Sequence, residues 1–251
     1  MVDVTFTTII IPRALYGLLS GDTNISFHEC FTQLFFFLAV GNKDSFLLAV
    51  MTFDRYAAVC HPLRYLVIMN RKTCIFLVAA SWVVVFLHST LYTVMVSIHL
   101  YCGWVIYHFF CDLPVIMLLF CPDTVRIEQM ILFIEGTTVI FSPVLFILGS
   151  YLLIIKAAVQ LSTPQGRWRT FSTCSSHLTI VILFYSTDII MYFRPSSVYS
   201  PTYDRVISIV YSVIIPMLNP FIYSLRNKEV KFAIIRLFKL CITGRVHQNK
   251  S

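Results

Sequence analysis

The stretch MTFDRYAAVCHPLRY at residues 51–65 places an acid, Asp54, directly before a base, Arg55, at the end of a long apolar run. An arginine at a membrane face is costly unless it is paired or its side chain reaches water. Two interpretations fit this placement. The pair marks a membrane boundary where charge returns to water, or it forms an acid–base switch that changes partners.

Four further charges, Lys43, Asp44, Glu135 and Asp188, fall inside apolar runs. Ionisable groups within a membrane often mark an ion path, so a channel or transporter is an alternative function of a different class. The absence of internal repeats and of paired broken helices argues against that alternative. The sequence also lacks HExxH, GxSxG and metal-spaced clusters, so we expect no enzyme activity, metal site or cofactor.

Composition indicates the elements that must position these charges. The 251-residue chain is 58% hydrophobic and 12% charged, and its mean hydropathy is +0.80, whereas soluble domains carry about 25% charged residues. The net charge of +7 comes from basic residues that lie between the apolar runs. We therefore expect an integral membrane protein whose partner is the lipid bilayer and not nucleic acid.

Apolar runs of about 20 residues are typical of membrane-spanning helices and too long for barrel strands. The sequence predicts an all-α, multi-pass transmembrane bundle forming a single domain over 1–251. The expected elements are a partial helix at 1–18, helices at about 27–56, 74–96, 127–158, 170–192 and 205–225, and a cytoplasmic amphipathic tail at 227–240.

Loops rich and poor in Lys and Arg alternate along the chain, which predicts a cytoplasmic C-terminus. The glycosylation sequon at Asn24 then falls outside the membrane. Four cysteines share that side, where disulfides persist, and they allow three pairings: Cys30, Cys102, Cys111 and Cys121. Cys241 follows a basic amphipathic stretch and is a candidate for palmitoylation, with an ordinary free thiol as the alternative.

Three motifs resemble the signatures of olfactory receptors, within the rhodopsin-like G protein-coupled receptors: MTFDRYAAVCHPLRY at 51–65, TFSTCSSHLTIVILFY at 170–185 and PMLNPFIYSLRNKEV at 216–230. They occur in the family's order and spacing, and the resemblance covers essentially the whole chain. It implies a seven-helix fold, a pocket for a small volatile odorant, coupling to a stimulatory heterotrimeric G protein, and the plasma membrane as location.

One departure concerns the start of the chain. The aspartate that the family carries midway along its second helix resembles Asp3 here, so the first helix and about half of the second are expected to be missing. Such a truncation would leave helix faces unpartnered, impair signalling and favour retention in the endoplasmic reticulum. A non-functional, pseudogene-like remnant is the alternative.

The resemblance also assigns roles to residues. It implies a G protein switch of Asp54, Arg55, Tyr56, Asn219, Pro220 and Tyr223, and a polar network of Asp3, Asp44 and His177. It selects the disulfides Cys30–Cys111 and Cys102–Cys121. The ligand pocket that it implies consists of Phe37, Leu38, Gly41, Asn42, Glu135, Val139, Tyr185, Asp188, Tyr192, Ile209 and Ser212.

Two acids in that pocket, Glu135 and Asp188, favour a ligand with a hydrogen-bond donor or an amine. The alternative is that one or both reach lipid headgroups or pair with Lys43 or Arg205. The sequence leaves this choice open.

Overall fold

The computed structural model of the chain describes residues 2–22, 24–124, 130–131, 133–161, 163–192 and 201–218, and the side chains of Asp3 and Tyr192 are not among those it describes. The first half contains α1 (Val2–Ser20), α2 (Phe27–Cys60), a 3₁₀ turn at Pro62–Arg64, α3 (Tyr65–Ile68) and α4 (Arg71–Ser97). The second half contains α5 (Leu113–Met117), a π-helix at Gly136–Phe141, α6 (Ser142–Val159), α7 (Pro164–Tyr192), α8 (Pro201–Ile209) and a π-helix at Val210–Ile214.

The predicted all-α, multi-pass class is confirmed. Four helices in the described residues are long and apolar enough to cross a membrane: Phe27–Cys60, Arg71–Ser97, Phe133–Val159 and Pro164–Ile190. Within the described residues the extended pairing is a single antiparallel bridge between Tyr101 and Phe120. The fold is therefore a bundle of spanning helices, and the loop that follows α4 is described from residue 98 to residue 124.

Helix α2 runs through the centre of the bundle and packs against α1, α4, α6 and α7. It begins with a capping box in which Ser26 accepts from the Glu29 amide while the Glu29 carboxylate accepts from the Ser26 amide. It ends at Cys60, four residues beyond the predicted 56. The stop follows from Pro62, which disfavours helical backbone at His61, where φ is −132° and ψ is 55°.

Two other helices begin at least four residues before their predicted starts. Helix α7 begins at Pro164 instead of 170, so more than one polar turn precedes the apolar segment. The last helix begins at Pro201 instead of 205 and becomes π-helical at Val210–Ile214. A π-turn holds more residues than an α-turn, and it therefore rotates the side chains that follow it.

In helix α4 the polar side chains face the bundle and the apolar ones face outward, the reverse of a helix in a soluble protein. It buries Ser81, Ser89 and Val85 against the bundle, while Phe76, Leu87 and other large apolar side chains are exposed on its outer face. Small residues at the helix interface and apolar ones outside are typical of helices that pack within lipid.

Three buried clusters fill the bundle. An outer cluster joins α2 to the loop after α4 around Leu34, Val96 and Leu113. An inner cluster joins α2, α6 and α7 around Leu48, Ile147 and Phe184. A third packs Phe6 and Ile10 of α1 against Phe37 and Tyr211. The ends of these clusters surround the candidate ligand site.

Candidate functional site

A cavity lies between α2, α7 and the two π-helical segments. Its empty space is about 390 Å³, including the part that opens outward, and it is lined by Phe37, Leu38, Gly41, Asn42, Glu135, Val139, Ile140, Phe184, Asp188 and Tyr211. The lining residues that α2 contributes share one face of the helix, since residues four apart lie on the same face. The π-helices contribute Val139, Ile140 and Tyr211, and π-bulges are frequent at functional sites.

The structure brings seven of the predicted pocket residues to this cavity: Phe37, Leu38, Gly41, Asn42, Glu135, Val139 and Asp188. Sequence reasoning missed Ile140, Phe184 and Tyr211. Phe184 precedes Asp188 by one helical turn, and that spacing could have indicated it. The remaining two depend on the π-helical register, which the sequence did not indicate.

Three predicted pocket residues are placed differently, and a fourth is not described. Tyr185 is buried beside the cavity with its hydroxyl 2.7 Å from Ser45 Oγ. Ser212 is buried and donates to the Ser208 carbonyl, and Ile209 is 45% exposed on the outer face. The side chain of Tyr192 lies outside those described. Because the π-helix begins directly after Ile209, Tyr211 takes the cavity position instead of Ile209 or Ser212.

A polar chain crosses one wall of the cavity. Glu135 Oε2 lies 3.1 Å from His88 Nε2 of α4, and Asn42 Nδ2 lies 3.4 Å from Glu135 Oε1 and 3.2 Å from His88 Nδ1. Thr138 Oγ1 is also within 3.2 Å of His88 Nε2. The Glu135 carboxylate thus has a partner that becomes a cation on protonation.

Lys43 does not line the cavity. Its ammonium group donates to Ser81 Oγ and to the Val78 carbonyl of α4 and lies 5.0 Å from the centroid of the Trp82 ring. Arg205 donates to the Tyr107 carbonyl at 3.0 Å. Neither cation forms an ion pair with Glu135 or Asp188, so the structure does not support the alternative pairing with Lys43 or Arg205.

The predicted switch lies at the far end of α2. Asp54 Oδ1 accepts a hydrogen bond of 2.8 Å from the Tyr65 hydroxyl, which raises the pKa of Tyr65. Tyr56 Oη lies 3.3 Å from His61 Nε2. Asn219, Pro220 and Tyr223 fall outside the described residues, so their part in the switch stays a prediction.

His177, one member of the predicted polar network, lies on α7. His177 is 2% exposed, and its Nδ1 lies 2.9 Å from the Tyr151 hydroxyl of α6, a partner that the prediction did not include. Asp44 is half-buried on α2, and the side chain of Asp3 is not described. A network joining Asp3, Asp44 and His177 therefore stays a prediction.

Both cysteine pairs implied by the resemblance are disulfides in the structure, Cys30–Cys111 and Cys102–Cys121. The first joins α2 to the loop after α4. Gln33 adds to this junction, since its side chain accepts from the Cys111 amide at 2.9 Å and donates to the Ile9 carbonyl of α1 at 3.1 Å. Asn24, the sequon residue, precedes α2 and accepts a hydrogen bond from Arg13 through its carbonyl.

The same loop is anchored to α8 by a histidine. His108 Nε2 lies 2.9 Å from Ser208 Oγ, and Nδ1 lies 3.1 Å from the Phe110 carbonyl oxygen. Burial lowers the pKa of His108 to about 4, against the opposing pull of the Phe110 carbonyl and with a smaller contribution from Arg205. The neutral imidazole is therefore the form that fits this junction.

Comparison with known proteins identifies the family. The family model described as olfactory receptor matches residues 1–240. The chain is 44% identical over 241 residues to human olfactory receptor 1C1, covering 96% of this chain and 76% of that receptor. It is 42% identical over 240 residues to rat olfactory receptor 1f45, covering 95% and 76%, and 44% identical over 236 residues to human olfactory receptor 1L6, covering 94% and 68%. The chain therefore belongs to the olfactory receptor family, and it is a multi-pass membrane protein and not an enzyme.

Proposed function

We propose that the chain is an odorant receptor of the plasma membrane that binds a small volatile molecule in the cavity between α2 and α7. The observation that carries the proposal is the cavity itself, because residues from α2, α7 and both π-helical segments converge on it within a membrane-spanning bundle. A concave, mostly apolar site with a few polar groups is typical of small-molecule pockets.

The signal passes to a stimulatory heterotrimeric G protein through the opposite end of α2. The chain of contacts supports this route. Below the cavity, Ser45 of α2 donates to the Val139 carbonyl and meets Tyr185 of α7. A ligand that shifts α7 therefore acts on α2, which continues to Asp54 and Arg55. In this orientation the C-terminus is cytoplasmic.

The test is an odorant panel applied to cells that express the 251-residue chain together with a stimulatory G protein α subunit. Surface delivery is measured by labelling, on intact cells, an epitope inserted in the outer loop between α1 and α2, and signalling is measured by cyclic AMP. We expect at least one odorant to raise cyclic AMP in a concentration-dependent manner, and Arg55→Ala to abolish the response without removing the surface signal. A chain that reaches the surface and responds to no odorant would contradict the proposal.

A further inference from the structure

Asp188 is a buried acid that has no partner among the described residues. It lies on α7, its side chain lines the cavity, and it is 7% exposed. Within the described part of the chain, neither a hydrogen bond nor an ion pair to its carboxylate is formed. Burying a carboxylate without such compensation is costly, and native structures usually satisfy such groups.

The surrounding charges are also negative. Glu135 and Asp112 both interact electrostatically with Asp188, and they are 2% and 0% exposed. The His88 ring contacts Glu135, while the Lys43 ammonium group donates to the Val78 carbonyl of α4. The cavity thus places Asp188 beside a second acid, Glu135, with neither lysine nor arginine among the described lining residues.

Aromatic rings form much of the rest of the wall. Phe37, Phe184 and Tyr211 line the same cavity as Asp188, and Phe37 and Tyr211 pack edge to face with centroids 5.8 Å apart. The faces of such rings attract cations, most strongly where water is excluded. Carboxylates combined with aromatic faces are the groups that bind an ammonium ion.

We propose that the cavity selects a small protonated amine whose ammonium group pairs with Asp188 and whose hydrocarbon part lies against Phe37, Val139 and Ile140. This inference rests on the proposed receptor function and names the ligand class of the same site. The volume among the lining side chains favours a compact ligand. A bound ammonium ion supplies the partner that Asp188 lacks and offsets the repulsion between Asp188 and Glu135.

The test uses two probes that differ in one group, cyclohexylamine and cyclohexanol. The full chain is purified in lipid nanodiscs, and binding is measured at pH 7 by calorimetry and by the shift in thermal unfolding midpoint. We expect cyclohexylamine to bind at least about tenfold more tightly than cyclohexanol. Asp188→Asn should remove that preference, whereas Asp123→Asn, which removes an exposed acid outside the cavity, should preserve it.

Two further variants cover the case in which Asp188→Asn does not fold. Asp188→Glu should retain the preference for the amine, and Glu135→Gln should weaken it by less than Asp188→Asn, because Glu135 already has His88 as partner.

Equal binding of both probes, stronger binding of cyclohexanol, binding of neither, or an unchanged preference in folded Asp188→Asn would overturn the inference. Because binding is measured without a G protein, amine binding without a cyclic AMP response would instead count against the proposed receptor function. A cyclic AMP response to neutral odorants alone would be consistent with the proposed receptor function and would contradict the inference that the ligand is an amine.

Discussion

The hydroxyl of Tyr65 donates a 2.8 Å hydrogen bond to Asp54 Oδ1, so the loop that follows α2 holds the acid of the predicted switch. Asp54 and Arg55 do not form an ion pair with each other, since adjacent helical residues point in different directions. The hydrogen bond therefore links α2 to α3, and Arg55 is not restrained by its neighbour.

Removing that hydroxyl should loosen the switch. We expect Tyr65→Phe to raise basal cyclic AMP, because Asp54 loses the group that fixes it, and to lower the free energy of unfolding by about 1 kcal/mol. Basal cyclic AMP is normalised to surface receptor, with Tyr203→Phe as the control, since Tyr203 is 47% exposed. Equal basal signalling in Tyr65→Phe and the unmodified chain would show that the bond does not restrain activity.

The two disulfides should differ in their effect on stability. Cys30 and Cys111 are 81 residues apart, and Cys102 and Cys121 are 19 apart. In the chain-entropy model the longer loop is worth about 1 kcal/mol more, within a total of about 2–5 kcal/mol for each bridge. We expect Cys30→Ser/Cys111→Ser to lower the thermal midpoint more than Cys102→Ser/Cys121→Ser, with Cys74→Ser, a free cysteine, as control. The reverse order would show that native contacts, and not loop closure, decide the contribution.

The His108 junction should make stability depend on pH. Its pKa falls from 6.5 to about 4 on folding, so between these values the unfolded chain binds a proton that the folded chain does not. The contribution of neutral His108 to the free energy of unfolding is complete above about pH 6.5. It is lost as pH falls toward 4, by up to about 1.4 kcal/mol per pH unit.

The measurement for this histidine is the thermal midpoint at pH 7 and pH 5. His108→Asn should lower the midpoint at pH 7 but reduce its decline toward pH 5, while His28→Asn, at an exposed position, should leave the decline unchanged. If His108→Asn keeps the full decline, another group is responsible for it.

The contact between Ser45 and Tyr185 should couple α2 to α7 energetically. Both side chains are buried, at 0% and 4% exposed, and their hydroxyls are 2.7 Å apart. We expect Ser45→Ala and Tyr185→Phe each to cost about 1–2 kcal/mol and the double variant to cost less than their sum by about 0.5–1 kcal/mol. Thr179→Ala on the exposed face of α7 serves as the control. Strict additivity would mean that the two hydroxyls act independently.

The sequence was sufficient for the class of fold and for much of the cavity. Hydropathy predicted the spanning helices, and the family resemblance assigned Phe37, Gly41 and Asp188 to the ligand pocket. It could not predict the π-helices, because their extra residue per turn leaves no signature in the hydropathy pattern. Tyr211 therefore replaced the neighbours expected to face the cavity.

The sequence was also insufficient for choosing partners of buried polar groups. The Tyr151 hydroxyl lies 2.9 Å from His177 Nδ1, a contact that the sequence did not indicate, while the network of His177 with Asp3 and Asp44 stays a prediction. Lys43 was an alternative partner for the buried acids, but its side chain turns to α4. Such choices depend on the rotation of each helix about its axis, which charge and hydropathy patterns do not determine to within one residue.

The central claim is that the cavity between α2 and α7 is where an odorant acts on the G protein, and filling that cavity tests it most directly. Gly41 lines the cavity, and a Cβ there would lie 3.4 Å from the Phe6 ring, whereas a Cβ at Gly149 of α6 would meet nothing within 4 Å. The measurement is odorant-stimulated GTPγS binding by the stimulatory G protein, with Gly41→Leu and Gly149→Leu chains in nanodiscs. We predict that Gly41→Leu raises the odorant concentration for half-maximal exchange by at least about tenfold, while Gly149→Leu matches the unmodified chain. An unchanged odorant response in folded Gly41→Leu would contradict the account.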